Sequence, residues 1–178
     1  VYSVASGTDA LAAKGVLHVR LWRGGDAPLG HAIDVFVTHL QANHRDIRAT
    51  QIEELAQFIH TRSDPTRAAL LLGDFNVDGA AIARRDPGAE YHSLIRRLGA
   101  LGFRDLGQTL GGTNTGERRR IDYIFLRSNQ LRPIDIRAEL FTTLRRRALS
   151  DHAAVTADFR WTPQAPQRRM LARAVPGS

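Results

Sequence analysis

Residues 70–79 read LLLGDFNVDG, and the reading of this stretch orders the rest of the chain. Three leucines following Ala68 and Ala69 make a run too uniformly apolar for a strand with one face in water, so a central position in a sheet is expected. The run stops at Gly73 and then presents Asp74 and Asn76, one strand period apart. If the extended backbone continues, both polar side chains face the same side. An Asx turn explains Asp-Phe-Asn equally simply, so the pair has to be weighed with its surroundings.

Upstream, GVLHVRLW (15–22) and AIDVFVTHL (32–40) read as strands joined by RGGDAPLG, a Gly/Pro connection of hairpin length. Between Asp46 and Arg62, Ile47, Ile52, Leu55 and Ile59 recur at near-helical intervals, which predicts an amphipathic helix closed by Pro65. Downstream, EYHSLIRRLGALG (90–102) predicts a second helix ending at glycine, followed by a loop, GQTLGGTNTGE. Three further strands are expected in RIDYIFLR (120–127), IDIRAELF (134–141) and AAVTADFRW (153–161). Residues 1–162 read as one domain, and the Pro/Ala/Arg-rich 163–178 as a disordered tail. Strands interleaved with two helices, with hairpin-like pairs at both ends, predict an α/β (α+β) domain whose mixed sheet carries its helices on one face.

Composition sets few limits. The 178 residues are 43% hydrophobic and 24% charged, an ordinary globular balance. The net charge of +7 is carried almost wholly by arginine, Lys14 being the only lysine. A GC-rich coding bias explains this blandly; an attraction to phosphates, in nucleic acid or at a lipid surface, explains it functionally. With no cysteine there are no disulfides or thiolate metal sites. No apolar run reaches membrane-spanning length, and the opening VYSVASG lacks a signal-peptide layout and reads as the interior of a domain.

Polar residues gather where strands begin or end: His39 and Gln41 in VFVTHLQA, Asp74 and Asn76, Asp122 in RRIDYIFL, and Ser150, Asp151 and His152 in LSDHAAV. Singly, most are turn or cap residues. Asp122 is harder to dismiss, because a carboxylate inside an apolar strand costs several kcal/mol unless paired or solvated. Together they suit phosphodiester hydrolysis. A carboxylate-held Mg²⁺ polarises a phosphoryl oxygen, a carboxylate-oriented histidine takes a proton from water, and a second imidazole and an amide stabilise the developing charge. No Cys-His pair or nucleophile elbow competes.

The ordered set THLQA, GDFN, RIDYIF and SDH resembles the endonuclease/exonuclease/phosphatase superfamily, the fold of DNase I, abasic-site endonucleases, inositol-polyphosphate phosphatases and neutral sphingomyelinases. The resemblance runs from about residue 9 to residue 160. It implies a DNase I-like β-sandwich with outer helices and a Mg²⁺ (or Mn²⁺) cofactor. It implies that Asp74 activates or orients the attacking water and shares the base role with His152, and that Asn76 binds a phosphate oxygen. His39 would bond the scissile phosphate, and Asp122 would orient an imidazole, with His39 the natural candidate. The metal would be held by Asp74, Asn76, Asp151 and His152. DALAAKG, with Asp9 and Lys14 five residues apart, and the Gln-Ala after His39 resemble the neutral sphingomyelinase branch, where an Asp-x₄-Lys-Gly element contacts substrate or gates the site. A surface ion pair is the plain alternative for Asp9 and Lys14.

The implied activity is hydrolysis of a phospholipid headgroup, with a membrane surface as partner and a secreted or envelope setting. A DNase-like or abasic-site nuclease is the alternative, in which the arginine runs at 118–120 and 145–147 grip phosphates of nucleic acid. In the superfamily an early Asn and a metal-binding Glu come from the upstream half of the domain. Glu53, Glu54, Glu90, Glu117 and Glu139 match no such element. The chain is therefore expected to be the C-terminal portion of such a domain, weak in metal binding by itself. A non-catalytic fragment or binding module is the third reading.

Overall fold

The computed structural model describes residues 1–22, 32–80, 90–114, 116, 118–143, 145 and 147–162. The RGGDAPLG connection, Glu117, Arg146 and the expected tail 163–178 lie outside the described residues. A short 3₁₀ turn, Gly7–Leu11, precedes β1 (Val16–Trp22), β2 (Ala32–His39), α1 (Arg45–Arg62), β3 (Ala68–Asp74), α2 (Glu90–Gly99), β4 (Arg104–Asp105), β5 (Asp122–Arg127), β6 (Leu131–Glu139) and β7 (Ala154–Trp161). Five strands form a mixed sheet in the order β1-β2-β3-β5-β4, so the leucine run of β3 is central as its composition demands. Among the described residues only β2 and β3 pair in parallel, with α1 as their crossover.

The helices follow the apolar spacing. Ile52, Leu55, Ala56 and Ile59 of α1 are buried, with Asp46 in its first turn and His60 and Arg62 in its last, in line with the helix dipole. Tyr91, Leu94 and Leu98 of α2 are buried. The chain leaves α2 by a turn closed at Gly102 (φ 81°), where Gly102 N bonds Gly99 O and Phe103 N bonds Leu98 O. That pairing needs the left-handed residue that glycine supplies. Both helices cover one sheet face, where Phe36, Ala69, Leu71, Tyr123 and Phe125 join them in the main core.

The opposite face is built in rows by strand register. Leu17, Val37, Leu72 and Ile124 lie side by side across four strands, and Val19, Val35, Leu70 and Leu126 form the next row. The last two strands lie outside this mixed sheet: β6 and β7 form a separate antiparallel pair. Leu131, Phe159 and Trp161 pack against Ala68, Leu70, Leu126 and Ile33. This apolar contact draws the hairpin over the second face, so it begins the second layer of a sandwich. Beyond it Leu17, Val19, Leu21 and Val37 stay exposed, Leu17 at 61%.

Candidate active site

The open face ends in a polar row. His39 is the ladder partner of Asp74, and Asp74 of Asp122, so the three side chains leave neighbouring strands on one face. Gly73 makes the close approach possible: its φ is 139°, and a Cβ there would lie 1.9 Å from Thr38 O. After Asp74 the chain turns through Asn76 at φ 52°. Asp74 Oδ1 accepts the Asn76 N–H at 2.8 Å, so the Asx turn is present. The other oxygen, Oδ2, faces His39 Nε2 at 3.5 Å.

Asp122 does not orient His39. The sheet order puts β3 between the two residues, and the Asp122 carboxylate instead meets His152 Nδ1 at 2.9 Å. One ligand atom from each of Asp74, Asp122 and His152 lies within 4.8 Å of the others, and all three residues are half-buried. Asp151, expected beside the metal, is exposed and outside this cluster. Two residues of the Gly/Thr/Asn loop were not singled out by sequence reasoning. Buried Thr113 accepts the backbone N–H groups of Ile121 and Asp122 on its hydroxyl, both at 3.1 Å, and its carbonyl accepts Ala153 N–H at 2.7 Å. It thus ties the start of β5 to the residue after His152. Asn114 Nδ2 lies 3.5 Å from His152 Nε2. The only signal for either was the loop's departure from plain Gly/Pro chemistry.

Asp9 and Lys14 reach the same region from below. Lys14 is buried, 3.2 Å from Asp9 and 2.8 Å from Leu40 O, so the surface-pair reading gives way to a built contact. Burial opposes the Asp9 charge, but the Ala42 N–H and the Lys14 ammonium outweigh it and hold the carboxyl below its usual range. Asn76 is also buried, and its amide donates to the same Leu40 O at 3.0 Å. Of the arginine run 118–120, Arg120 is 2% exposed, paired with Asp105 at 2.8 Å and placed over the Tyr91 and Tyr123 rings.

The sequence profile of the Endonuclease/Exonuclease/phosphatase family matches residues 5–152. The chain belongs to this family. No curated protein matches the sequence. Among solved structures, a beta toxin mutant from Staphylococcus aureus with bound magnesium ions is similar at TM-score 0.62 and 19% identity, over 92% of this chain and 62% of that one. Sphingomyelinase C from Streptomyces griseocarneus is similar at TM-score 0.61 and 20% identity, over 88% and 61%. TDP2 from D. rerio, complexed with a single strand DNA product, is similar at TM-score 0.61 and 18% identity, over 83% and 62%. At these identities the likeness shows the DNase I-like fold. The chain spans about three-fifths of the length of each of these structures.

Members of the endonuclease/exonuclease/phosphatase family are hydrolases, and the cluster suits a divalent cation. Burial pushes the Asp74 carboxyl above its usual range and the Asp122 charge pushes the same way, against the Asn76 N–H that favours ionisation. Two neighbouring carboxylates under mutual repulsion, partly open to solvent, are a hard oxygen donor set of the kind Mg²⁺ or Mn²⁺ takes while keeping waters. Among the described residues no glutamate joins them. Glu53 pairs with Arg97, Glu54 accepts from Ser3, Glu90 pairs with Arg48, and Glu139 pairs with Arg137.

Proposed function

We propose that the chain is the C-terminal portion of a Mg²⁺-dependent phosphodiesterase that hydrolyses a phospholipid headgroup in the manner of a sphingomyelinase. The observation that carries the reading is the Asp122–His152 pair beside Asp74. With Nδ1–H donated to Asp122, His152 Nε2 is the acceptor, and it takes a proton from a water that displaces the long 3.5 Å contact with Asn114 Nδ2. The water oxygen bonds to phosphorus as the bond from phosphorus to the lipid oxygen breaks, and that oxygen takes a proton from solvent and leaves as the lipid alcohol. Asp74 orients the water, while His39, whose side chain is 59% exposed, donates to a phosphate oxygen. Asn76 contributes by fixing Leu40 and the end of β3, since its amide is turned inward. Asp74 and Asp122 would hold the divalent cation; when bound, the cation would neutralise charge building on the phosphoryl oxygens.

A lipid substrate is favoured over DNA by one feature. A cavity of about 340 Å³ opens beside His152, lined by Phe141, Leu149, Ser150, Ala153 and Ala154, and suits an apolar leaving group better than a sugar–phosphate chain. Of the arginines offered to a nuclease, Arg120 is buried within the protein, while Arg118, Arg145 and Arg147 are exposed. The exposed row Leu17, Val19, Leu21 and Val37 fits a domain completed by further strands beside β6 and β7, from an upstream region that would also bring the missing glutamate. The test is Mg²⁺-dependent release of phosphocholine from sphingomyelin vesicles, beside nicking of supercoiled DNA, by this chain with and without its upstream region. Lipid hydrolysis only with that region supports both parts of the reading. Nicking without lipid hydrolysis replaces it with the nuclease alternative, and neither activity leaves the non-catalytic fragment.

A further inference from the structure

The segment that leaves β2 after His39 has no regular structure, yet its peptide groups are fully claimed. Leu40 N–H donates to Asp74 O at 2.9 Å, and Leu40 O accepts Lys14 Nζ and Asn76 Nδ2. Gln41 N–H donates to Gln51 Oε1 at 2.8 Å, and Ala42 N–H to Asp9 Oδ2 at 2.8 Å. The carbonyls of Gln41 and Ala42 both accept from one group, Arg48 Nη1, at 2.9 and 2.7 Å. Surface loops ordinarily leave such groups to water. Here all but one go to five side chains, Asp9, Lys14, Arg48, Gln51 and Asn76, and a shift of the loop would orphan several at once.

We propose that Arg48 is the positioning residue of this site, acting through the 40–42 loop on His39 and Asn76. Arg48 is 7% exposed, and its Nε and Nη2 hold the Glu90 carboxylate at 2.7 and 2.6 Å. The guanidinium therefore spans from the first residue of α2 to the two loop carbonyls, which fixes its plane and the carbonyls together. A lysine at 48 has one ammonium and cannot serve both partners in this geometry. His39 directly precedes the clamped segment, and Leu40 O is the acceptor that seats Asn76, so loop displacement moves both against Asp74. Small misplacements of such groups lower turnover more than they weaken substrate binding.

This inference rests on the phosphodiesterase reading, and its test separates the two. The whole protein is compared as wild type, Arg48→Lys, Glu90→Gln and His39→Ala. The readouts are Mg²⁺-dependent hydrolysis of bis(p-nitrophenyl) phosphate and amide hydrogen exchange of residues 40–42. Arg48→Lys is expected to stay folded with a lowered melting midpoint, since the carbonyls or Glu90 lose their donor, to exchange in the loop at least about tenfold faster, and to lose about 10- to 100-fold in kcat with KM within about twofold. Glu90→Gln moves both readouts in the same direction, while His39→Ala lowers kcat and leaves loop exchange unchanged. Unchanged exchange in Arg48→Lys overturns the proposal, as does faster exchange with kcat intact. If the wild type hydrolyses no phosphodiester, the phosphodiesterase reading fails, and the exchange result alone still decides whether Arg48 fixes the loop.

Discussion

Asp122 Oδ2 lies 2.9 Å from His152 Nδ1, while the Asp122 backbone pairs with Asp74 across the β3–β5 ladder. One carboxylate thus holds the imidazole and stands next to a second, similarly half-buried carboxylate.

If Asp122 acts through His152, their losses are not additive. Asp122→Asn is expected to lower kcat substantially, yet the Asp122→Asn/His152→Ala double variant loses less than the product of the two single losses, the remainder being the cation contact of Asp122. Asp122→Asn and His39→Ala, separated by Asp74, multiply. A double-mutant cycle on kcat checks this, and full additivity for the first pair contradicts the assignment.

Asp74 is expected to be a residue kept against stability. Its ionised form is opposed by burial and by Asp122, so its folded-state pKa is raised and its charge destabilises the fold at neutral pH. Asp74→Asn keeps the acceptor for the Asn76 N–H and removes the repulsion. In EDTA it should be more stable than wild type by about 0.5–1 kcal/mol while being inactive. Thermal melts with and without Mg²⁺ check this: the cation should raise the wild-type midpoint and leave the variant's nearly unmoved.

Gly73→Ala should destabilise by about 3 kcal/mol or more, because its Cβ would collide with Thr38 O and its φ excludes a side chain. Gly99→Ala is the control. Among the described residues nothing lies within 4 Å of a Cβ there, and replacing a helical glycine should stabilise by about 0.5–1 kcal/mol. Urea titrations of the two variants should move in opposite directions.

Asp34 gives the fold an acid limb. Burial would raise its pKa, but hydrogen bonds from Arg20 (2.7 Å), Ser63 (2.6 Å) and His18 (3.1 Å) outweigh this and hold the carboxyl far below the usual range. A depressed folded pKa stabilises fully above the unfolded value, about pH 4, and the contribution is lost as pH falls below it. Asp34→Asn should cost about 1–3 kcal/mol at pH 7, with the gap to wild type narrowing below about pH 4. Denaturation across pH 2.5–7, an experimental range of roughly four units around that value, checks it; a constant gap contradicts it.

The sequence displayed the fold where apolar period governs it. The central β3, both helices and the glycine turn after α2 follow from Leu70–Leu72, from Ile52, Leu55 and Ile59, and from Gly102. It did not display that β6 and β7 leave the main sheet, because that depends on Phe159 and Trp161 finding Leu126 and Ala68 across the chain. The polar residues at the strand ends were legible as residues, but their pairing was not. His39 and Asp122 looked like natural partners until the order β2-β3-β5 put Asp74 between them, about 9–10 Å of sheet apart. Arg48, Gln51 and Thr113 were invisible because a buried polar clamp on a loop leaves no periodic trace.

The most direct measurement is Mg²⁺-dependent phosphocholine release from sphingomyelin vesicles by the whole protein, wild type against His152→Ala, with folding followed by circular dichroism. The account predicts hydrolysis by the wild type, its loss in EDTA, and a fall of about 10²- to 10⁴-fold in a folded His152→Ala. Turnover near the wild-type level in that variant would contradict the assignment of His152 as the group that takes the proton.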